Sequence, residues 1–424
     1  MAAFCPAQMG SLRAGAAKVD VTPSKEMFPV TSSAPSGETE KAHDPIYARA
    51  LVLDNGKTKV AIVCVDVLDW QLSGLLEDVA AALQIPPENV ILNPSHDDSS
   101  IHAMSPRQGD NGKIPDEAAI TKMKEGMIEA AQEANANLQP ARVGYGTGMA
   151  DVNTNRGDPN GPSDKTVTVM VLTRPTGEPI AIYTSYASHS IVMYQSLTDN
   201  GKMQLTSDLA GWTEKYVEDH FPGAVALWAL SAGGDQAPRY TSKSGSRNGG
   251  VDAYDLGAAG WALLDVQSRL LGAEIVRVTK AIQITSGQAV LWGTRSSVTC
   301  PAPQRAAQVA GQNRQQGAGQ PGGQQAAGQV PAPAQPAANP NLTIPLQLLM
   351  VNDIAIAGVN GDPATEIGLQ FRQESLFDKN MLVTMIPNLI GHLNSDKQGC
   401  TNRAIDQEFQ KMMKSYLPVW NAAQ

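Results

Sequence analysis

Several apolar segments of this sequence are followed at once by side chains that could bind a metal ion or move protons. The segments and the side chains after them are 90–92 with His96 and Asp98, 182–187 with His189, 225–230 with Asp235, and 354–359 with Asp362 and Glu366. If these segments are β-strands, the side chains lie at strand ends, where α/β proteins bind their ligands. Imidazole and carboxylate groups are the ligands that zinc and similar divalent ions take. A metal site that includes His96 and His189 is therefore one hypothesis.

Each of these side chains also has an ordinary structural explanation. A single histidine at the end of a strand is commonly just a hydrogen-bonded residue, and the polar residues after His96 can cap a helix. The residue pattern alone leaves a metal site and a purely structural role as alternatives.

The elements that must position these side chains alternate between strands and helices. The predicted strands cover 48–53, 59–67, 90–92, 142–148, 166–174, 179–186, 224–230, 346–351 and 354–359. The predicted helices cover 73–83, 116–136, 208–220, 254–272 and 402–416, from apolar positions at helical spacing and from helix-start signals. No internal repeat is evident. The pattern predicts an α/β fold, a single large domain with mixed β-sheets flanked by helices.

Residues 301–340 interrupt this pattern. They are almost wholly Gln, Ala, Pro and Gly, with no acidic residue and no lysine. Such a segment cannot bury enough apolar area to offset the entropy of ordering its chain. We therefore expect a flexible insertion at 301–340 within one domain that is formed by residues 12–300 and 341–420.

The composition limits the kinds of partner. Hydrophobic residues make up 42% of the 424 residues and charged residues 17%, which is typical of a soluble globular protein. The formal net charge of −9 argues against nucleic acid as a partner, since phosphate binding needs a basic face. No apolar run reaches 18 residues, so we expect no transmembrane segment.

The cysteines bear on the cellular compartment. Cys64 lies in an apolar run and is expected to be a buried thiol. A disulfide between Cys300 and Cys400 would favour an oxidising compartment. The N-terminus has no charged segment followed by an apolar one, so the chain is either cytoplasmic or begins after a removed signal peptide.

Eight short segments resemble, in order, the signatures of one enzyme family. They are AGAAKVDVTP (14–23), DPIYARALVL (44–53), NPSHDDSS (93–100), NR (155–156) with DKT (164–166), YASH (186–189), SDLAG (207–211) and AGGDQAP (232–238). This series resembles the neutral/alkaline non-lysosomal ceramidases over residues 12–395. The resemblance implies the fold of that family's N-terminal catalytic domain, in a divergent member that lacks the C-terminal immunoglobulin-like domain.

The resemblance also implies a ligand set. In that family a zinc ion, held by two histidines, a glutamate and a tyrosine, activates water to cleave the amide of ceramide. By motif position, His96 and His189 match the two histidines, and Asp362 stands where the glutamate does. Arg156 matches an arginine near the substrate carbonyl, where a cation stabilises developing negative charge. The expected cofactor is Zn²⁺ or another divalent metal.

Three positions depart from the family pattern. Asp98 replaces the second histidine of the family's H-T-H segment, and Ala237 replaces the serine of its G-D-x-S-P motif. The tyrosine ligand corresponds to Leu389, with His392 close by as a candidate replacement ligand. An alanine and a leucine can supply neither a nucleophile nor a metal bond.

Two functions are compatible with these observations. The first is a ceramidase-like hydrolase that cleaves an amide (N-acyl) bond with a metal-activated water, with Asp98 or Asp235 as general base. Its partner is a small-molecule N-acyl or lipid-like substrate, which would place the protein in lipid metabolism. The family favours a periplasmic or secreted location, and a homo-oligomer is an open expectation. The alternative is a non-catalytic binding or structural/assembly protein that retains the ceramidase fold.

Overall fold

The computed structural model describes residues 9–32, 38–68, 74–103, 116–244, 253–284, 286–301, 341–385, 392–393 and 400–424. These residues form six α-helices: α1 (Leu75–Leu83), α2 (Glu117–Ala136), α3 (Asp208–His220), α4 (Gly260–Ala281), α5 (Thr365–Glu374) and α6 (Cys400–Asn421). Short 3-10 helices cover Lys25–Met27, Pro87–Asn89 and Gly257–Ala259. No helix in the described ranges is long and apolar enough to cross a bilayer.

Most strands belong to three sheets. In spatial order, the first sheet contains Val90–Pro94, Lys59–Val65, Tyr47–Asp54, Arg13–Asp20 and Gln139–Pro140. The second contains Val225–Leu230, Pro179–Tyr186, Thr166–Thr173 and Arg142–Met149. The third contains Leu291–Pro301, Asn341–Val351, Ile354–Asn360 and Lys379–Met385.

Short two-stranded pairs join the loops between these sheets. They are Gly10–Ser11 with Gln288–Ala289, Val30–Thr31 with Glu38–Thr39, Asn153–Asn155 with Gln236–Pro238, Lys243–Ser244 with Tyr254–Asp255, and Asp362–Pro363 with His392–Leu393. Two of these pairs, those that contain Gln236 and Asp362, border the candidate metal site.

The three sheets repeat one arrangement of elements. In each, three strands run antiparallel in succession, a helix follows, and a fourth strand lies parallel to the third. The parallel partners are Ala61 with Val90, Ala181 with Val225, and Ile354 with Lys379. A long helix (α2, α4 or α6) closes each unit. The structure therefore contains a threefold repeat that the sequence does not reveal, because a repeat of backbone path requires similar hydrophobic patterning but not similar residues.

The sheets enclose a common core. Residues from all three, including Ile62, Tyr183 and Ile356, pack in one central cluster. The opposite face of each sheet packs on its own helices: the first on α1 and α2, the second on α3 and α4, and the third on α5 and α6. Inner strands such as Tyr47–Asp54 and Pro179–Tyr186 are buried on both faces. They therefore appear in the sequence as continuous apolar runs.

A buried ionic cluster joins the first unit to the second. Nη1 of Arg49, on the first sheet, lies 2.8 Å from Oδ2 of Asp66 and 2.8 Å from Oε2 of Glu214 on α3. All three side chains are at most 3% exposed. Burial raises the pKa of Asp66 and the pKa of Glu214, against the opposing effect of Arg49.

Some predicted elements have other bounds in the structure. The helix predicted at 254–272 is Gly260–Ala281, because residues 254–259 form a short strand and a 3-10 turn and the apolar spacing continues through Ile275 and Val278. The sequence pattern does not predict strands Leu291–Pro301 and Lys379–Met385 or helix α5. The α/β class and the single domain are confirmed.

The predicted insertion lies mostly outside the described residues. Pro301, its first residue, and Asn341, which directly follows it, are paired across adjacent antiparallel strands. A long segment can leave and return at this point without disturbing the sheet. Its flexibility stays a prediction.

One cysteine prediction is confirmed, and the other is not tested. Cys64 is a buried free thiol, as predicted, and burial raises its pKa. Cys300 is disulfide-bonded. The side chain of its predicted partner, Cys400, lies outside the described part of the molecule, so that pairing stays a prediction.

Candidate metal centre

Three side chains, one from each repeated unit, meet at one end of the sheets. His96 follows Val90–Pro94, His189 follows Pro179–Tyr186, and Asp362 follows Ile354–Asn360. Each is at most 2% exposed, and their ligand atoms all lie within 4.8 Å of one another. The imidazole rings of His96 and His189 meet edge to face, with 4.6 Å between centroids. This arrangement could hold one metal ion.

Backbone contacts fix the loops that carry these residues. The amide of Ser190 donates to the carbonyl of His96, and the amide of Asp98 donates to the carbonyl of Ser190, each at 3.2 Å. His96 itself has a φ of 61°, in the left-handed region that non-glycine residues seldom adopt. This conformation turns the chain at the end of its strand. The two histidine loops are thus tied directly to each other.

A close approach of two loops fixes the third residue. The amide of Gly234 donates to the carbonyl of Pro363 at 2.9 Å. A Cβ atom on Gly234 would lie 2.4 Å from the carbonyl oxygen of Asp362, so only glycine allows the loops to pack this closely. Asp362 is also paired with His392 in a short parallel bridge.

One histidine has a fixed proton arrangement. Nδ1 of His189 lies 2.8 Å from the carbonyl oxygen of Gln236 and must donate, because a carbonyl can only accept. Its Nε2, 3.3 Å from Oδ2 of Asp362, is therefore free to bind a metal. Bonds of this kind orient histidine ligands in metalloproteins.

An unsatisfied carboxylate oxygen indicates that the residues present fit a cation. Oδ1 of Asp362 is buried without a hydrogen-bond partner among the described residues. Nε2 of His96 lies 3.9 Å from Oδ2 of the same carboxylate. Burying a carboxylate oxygen without a partner is costly, and a divalent ion would satisfy it. Two imidazoles and a carboxylate form a ligand set that zinc accepts.

The electrostatics favour the ligating forms of His96 and Asp362. Burial, and then His189, lower the pKa of His96 to about 3, which keeps the ring neutral. Burial alone would raise the pKa of Asp362, but His189 and His392 hold it well below its usual value. The pKa of His189 is lowered by burial but is raised overall by Asp362. Metal binding requires neutral histidine and ionised aspartate.

His392 lies beside the centre, in contact with the carboxylate. Its Nδ1 is 2.6 Å from Oδ2 of Asp362, its Nε2 is 3.3 Å from Nη2 of Arg156, and its side chain is 58% exposed. It does not belong to the set of three residues whose ligand atoms all lie within 4.8 Å of one another. Leu389, at the position of the family's tyrosine, lies outside the described residues. A ligand role for His392 stays a prediction.

Two predicted catalytic side chains lie around this group. Asp98 is partly buried, and its Oδ1 is enclosed without a hydrogen-bond partner among the residues that the structure describes. Burial raises the pKa of Asp98 to about 6, although His189 and Arg156 oppose the shift. Arg156 is exposed, and its Nη2 donates to the carbonyl of Gly234 at 2.5 Å.

Asp235, the other predicted base, is fully occupied by hydrogen bonds. Its Oδ1 accepts from the amide and hydroxyl of Thr365 and from the amide side chain of Gln236. Its Oδ2 accepts from Nδ2 of Asn155. Asp235 thereby joins three loops. They carry Arg156, Asp362, and Gln236, which is the hydrogen-bond partner of His189.

Sequence reasoning missed the residues that orient the site. The sequence assigns no role to Gln236, Asn155 or Thr365, although Gln236 and Asn155 lie within the segments that resemble the family. Their contribution depends on contacts between segments far apart in the chain, and no local pattern signals it.

We expect Asp235→Ala to weaken zinc binding by about 10- to 100-fold without removing a ligand, because outer partners orient the ligands. Competition with a chromophoric chelator measures the affinity. The matched control is Asp158→Ala, an exposed aspartate in the same loop as Arg156. An affinity within about twofold of wild type for Asp235→Ala would show that the residue does not position the centre.

The comparisons with known proteins concern the fold. No family model matches the sequence, and no curated protein matches it significantly. A crystal structure of neutral ceramidase from Pseudomonas aeruginosa is similar, with a TM-score of 0.67 and 15% identity over 95% of this chain and 74% of that one. A ceramidase complexed with C2 has a TM-score of 0.69 and 16% identity, over 96% and 75% of the two chains. The resemblance seen in the sequence motifs is therefore confirmed at the level of the fold: this chain has the fold of the neutral ceramidases.

Proposed function

We propose that this protein is a metal-dependent hydrolase that cleaves amide (N-acyl) bonds. The observation that carries the proposal is the meeting of His96, His189 and Asp362 within 4.8 Å of one another, in a fold shared with neutral ceramidases. These three residues would hold the ion. When bound, zinc or a similar ion polarises a carbonyl and makes water acidic enough to attack at neutral pH.

The surrounding residues have distinct tasks in this proposal. The guanidinium of Arg156, at the exposed edge of the centre, donates to the substrate carbonyl oxygen as negative charge develops there. Asp98 accepts a proton from the attacking water and returns it to the amine nitrogen as the carbon–nitrogen bond breaks. The products are a carboxylic acid and an amine. Asp235 keeps the loops in place, because its oxygens already accept four hydrogen bonds.

The names of the similar structures suggest the first substrates to test. Both structures are described as ceramidases, so a ceramide-like N-acyl lipid is the leading substrate class. A periplasmic or secreted location, and lipid metabolism as the cellular role, belong to the same proposal.

The decisive experiment joins metal analysis to a substrate panel. The purified full-length chain is assayed for bound metal and for release of amine from short- and long-chain N-acyl substrates, as isolated, after chelation and after return of zinc. We expect about one ion per chain, and activity that is lost with the metal and restored with it. Turnover that does not change on chelation would contradict the proposal.

We expect Asp98→Asn to lower kcat/KM by about 10²- to 10⁴-fold while bound metal stays near the wild-type level, since it removes the proton acceptor but no ligand. Amine release and metal content are measured on the same preparation. Asp158→Asn, an exposed neighbour of Arg156, serves as the control. Unchanged kcat/KM in Asp98→Asn would assign proton transfer to another group.

One observation favours the non-catalytic alternative. Ala237, where the family has a serine, is buried opposite Thr154 in a short strand pair and offers no polar atom. A protein that binds stoichiometric zinc but releases no amine from any substrate of the panel would support a binding or assembly role.

A further inference from the structure

A cavity separate from the metal centre lies between the first sheet and helices α3 and α4. Its volume is about 570 Å³, within the range of about 300–1,000 Å³ that is typical of small-molecule sites. Lys18, Tyr47 and Arg49 line it from the first sheet, and Trp212 and Tyr216 from α3. The three candidate metal ligands, His96, His189 and Asp362, do not line this cavity.

The charges on the cavity wall balance. The wall carries four cations and four carboxylates, namely Lys18, Arg49, Lys215 and Arg269 with Asp44, Glu218, Asp219 and Asp265. Most are already paired with each other. The pairs are Lys18 with Glu218 at 2.5 Å, Lys215 with Asp219 at 2.6 Å, and Arg269 with Asp265 at 2.8 Å. A ligand with a net charge would have to break one of these pairs, whereas an uncharged ligand would not.

The wall also offers flat apolar surfaces. Trp212 and Tyr216 are half-buried and face the cavity from adjacent turns of α3. The Trp212 ring lies parallel to that of Trp261, within 8°, which fixes its orientation. Aromatic faces of this kind pack against the C–H faces of a ring-shaped ligand.

The paired charges of the wall keep hydrogen-bonding capacity for a neutral ligand. Paired carboxylates and ammonium groups can still accept from and donate to hydroxyl groups, which do both.

We propose that this cavity binds an uncharged polyhydroxylated molecule of monosaccharide or disaccharide size. Aromatic faces would hold its ring, and the carboxylates and cations would bond its hydroxyls. The proposal does not depend on the hydrolase activity, because none of the three candidate metal ligands lines this cavity.

Calorimetric titration of the full-length protein tests this proposal. The probes are D-glucose, D-galactose, N-acetyl-D-glucosamine and maltose, with choline chloride and inorganic phosphate as charged comparators. We expect saturable binding of at least one sugar and a response to neither charged probe. Trp212→Ala should weaken that binding by about tenfold or more. The matched control is Trp420→Ala, a half-buried tryptophan at the end of α6, which should leave the affinity unchanged.

A second variant keeps the proposal testable if Trp212→Ala does not fold. Asp265→Asn changes a residue of α4 whose side chain is 41% exposed, and the substitution is not expected to affect folding. It should weaken sugar binding several-fold by removing a charged acceptor. The proposal is overturned if no sugar binds saturably, or if only choline or phosphate binds. It is also overturned if neither Trp212→Ala nor Asp265→Asn weakens the affinity for the sugar.

Discussion

His96→Ala and His189→Ala are each expected to reduce bound zinc from about one ion per chain to a small fraction of that, because structural and catalytic zinc sites need at least three protein ligands. Each variant leaves one imidazole and Asp362, a two-ligand site. We expect amine release from N-acyl substrates to fall to background in both. Elemental analysis and the amine assay are performed on the same samples.

Thermal unfolding provides an independent measurement of this prediction. A ligand that binds only the folded state stabilises it in proportion to the logarithm of its concentration over Kd. Added zinc should therefore raise the Tm of the wild type and have little effect on the Tm of either variant. His220→Ala is the matched control, since His220 is an exposed histidine at the end of α3. Equal metal content in the wild type and in both variants would remove the basis of the proposed centre.

The second large effect is expected from Arg49→Met, which should lower the free energy of unfolding by about 3–5 kcal/mol at neutral pH. Arg49 is the cation between Asp66 and Glu214, with 2.8 Å from Nη1 to one oxygen of each. Methionine fills similar volume but leaves the two carboxyl groups buried without their partner. Urea unfolding, followed by circular dichroism, measures the change.

The matched control for this prediction is the same substitution at an exposed site. Arg269 pairs with Asp265 on α4, and its side chain is 62% exposed. Exposed ion pairs contribute about 0–1 kcal/mol, so Arg269→Met should change stability little. A similar loss in both variants would show that burial of the Arg49 cluster is not what makes it important.

The destabilisation by Arg49→Met should depend on pH. In the folded protein the pKa of Asp66 and the pKa of Glu214 are raised by burial. A carboxyl group with a raised pKa favours the folded state at low pH, where it is protonated, and this contribution is lost as the pH rises through the raised value. Without Arg49 both values should rise further. The deficit of the variant is thus expected to be largest at neutral pH and to shrink as the pH falls.

The sequence predicted which side chains come together, but not the contacts that support them. His96, His189 and Asp362 are predicted because each follows an apolar strand, and because the surrounding motifs occur in one family's order. Asp235 has the same local signature, yet its carboxylate is taken up by Thr365, Gln236 and Asn155. A strand-end position shows that a side chain can reach the site, but not what that side chain meets there.

What the sequence determined by itself is local: the strands and helices, the strand ends that carry ionisable groups, and the residue types available to a metal. These follow from hydrophobic periodicity and from side-chain chemistry, which act over a few neighbouring residues. Only the tertiary structure decided that residues 96, 189 and 362 come from three repeated units and meet at one point. It alone placed His392 on the carboxylate of Asp362 and the cavity beside α3. Such contacts join segments far apart in the chain, and they are set by how the three sheets pack around their common core.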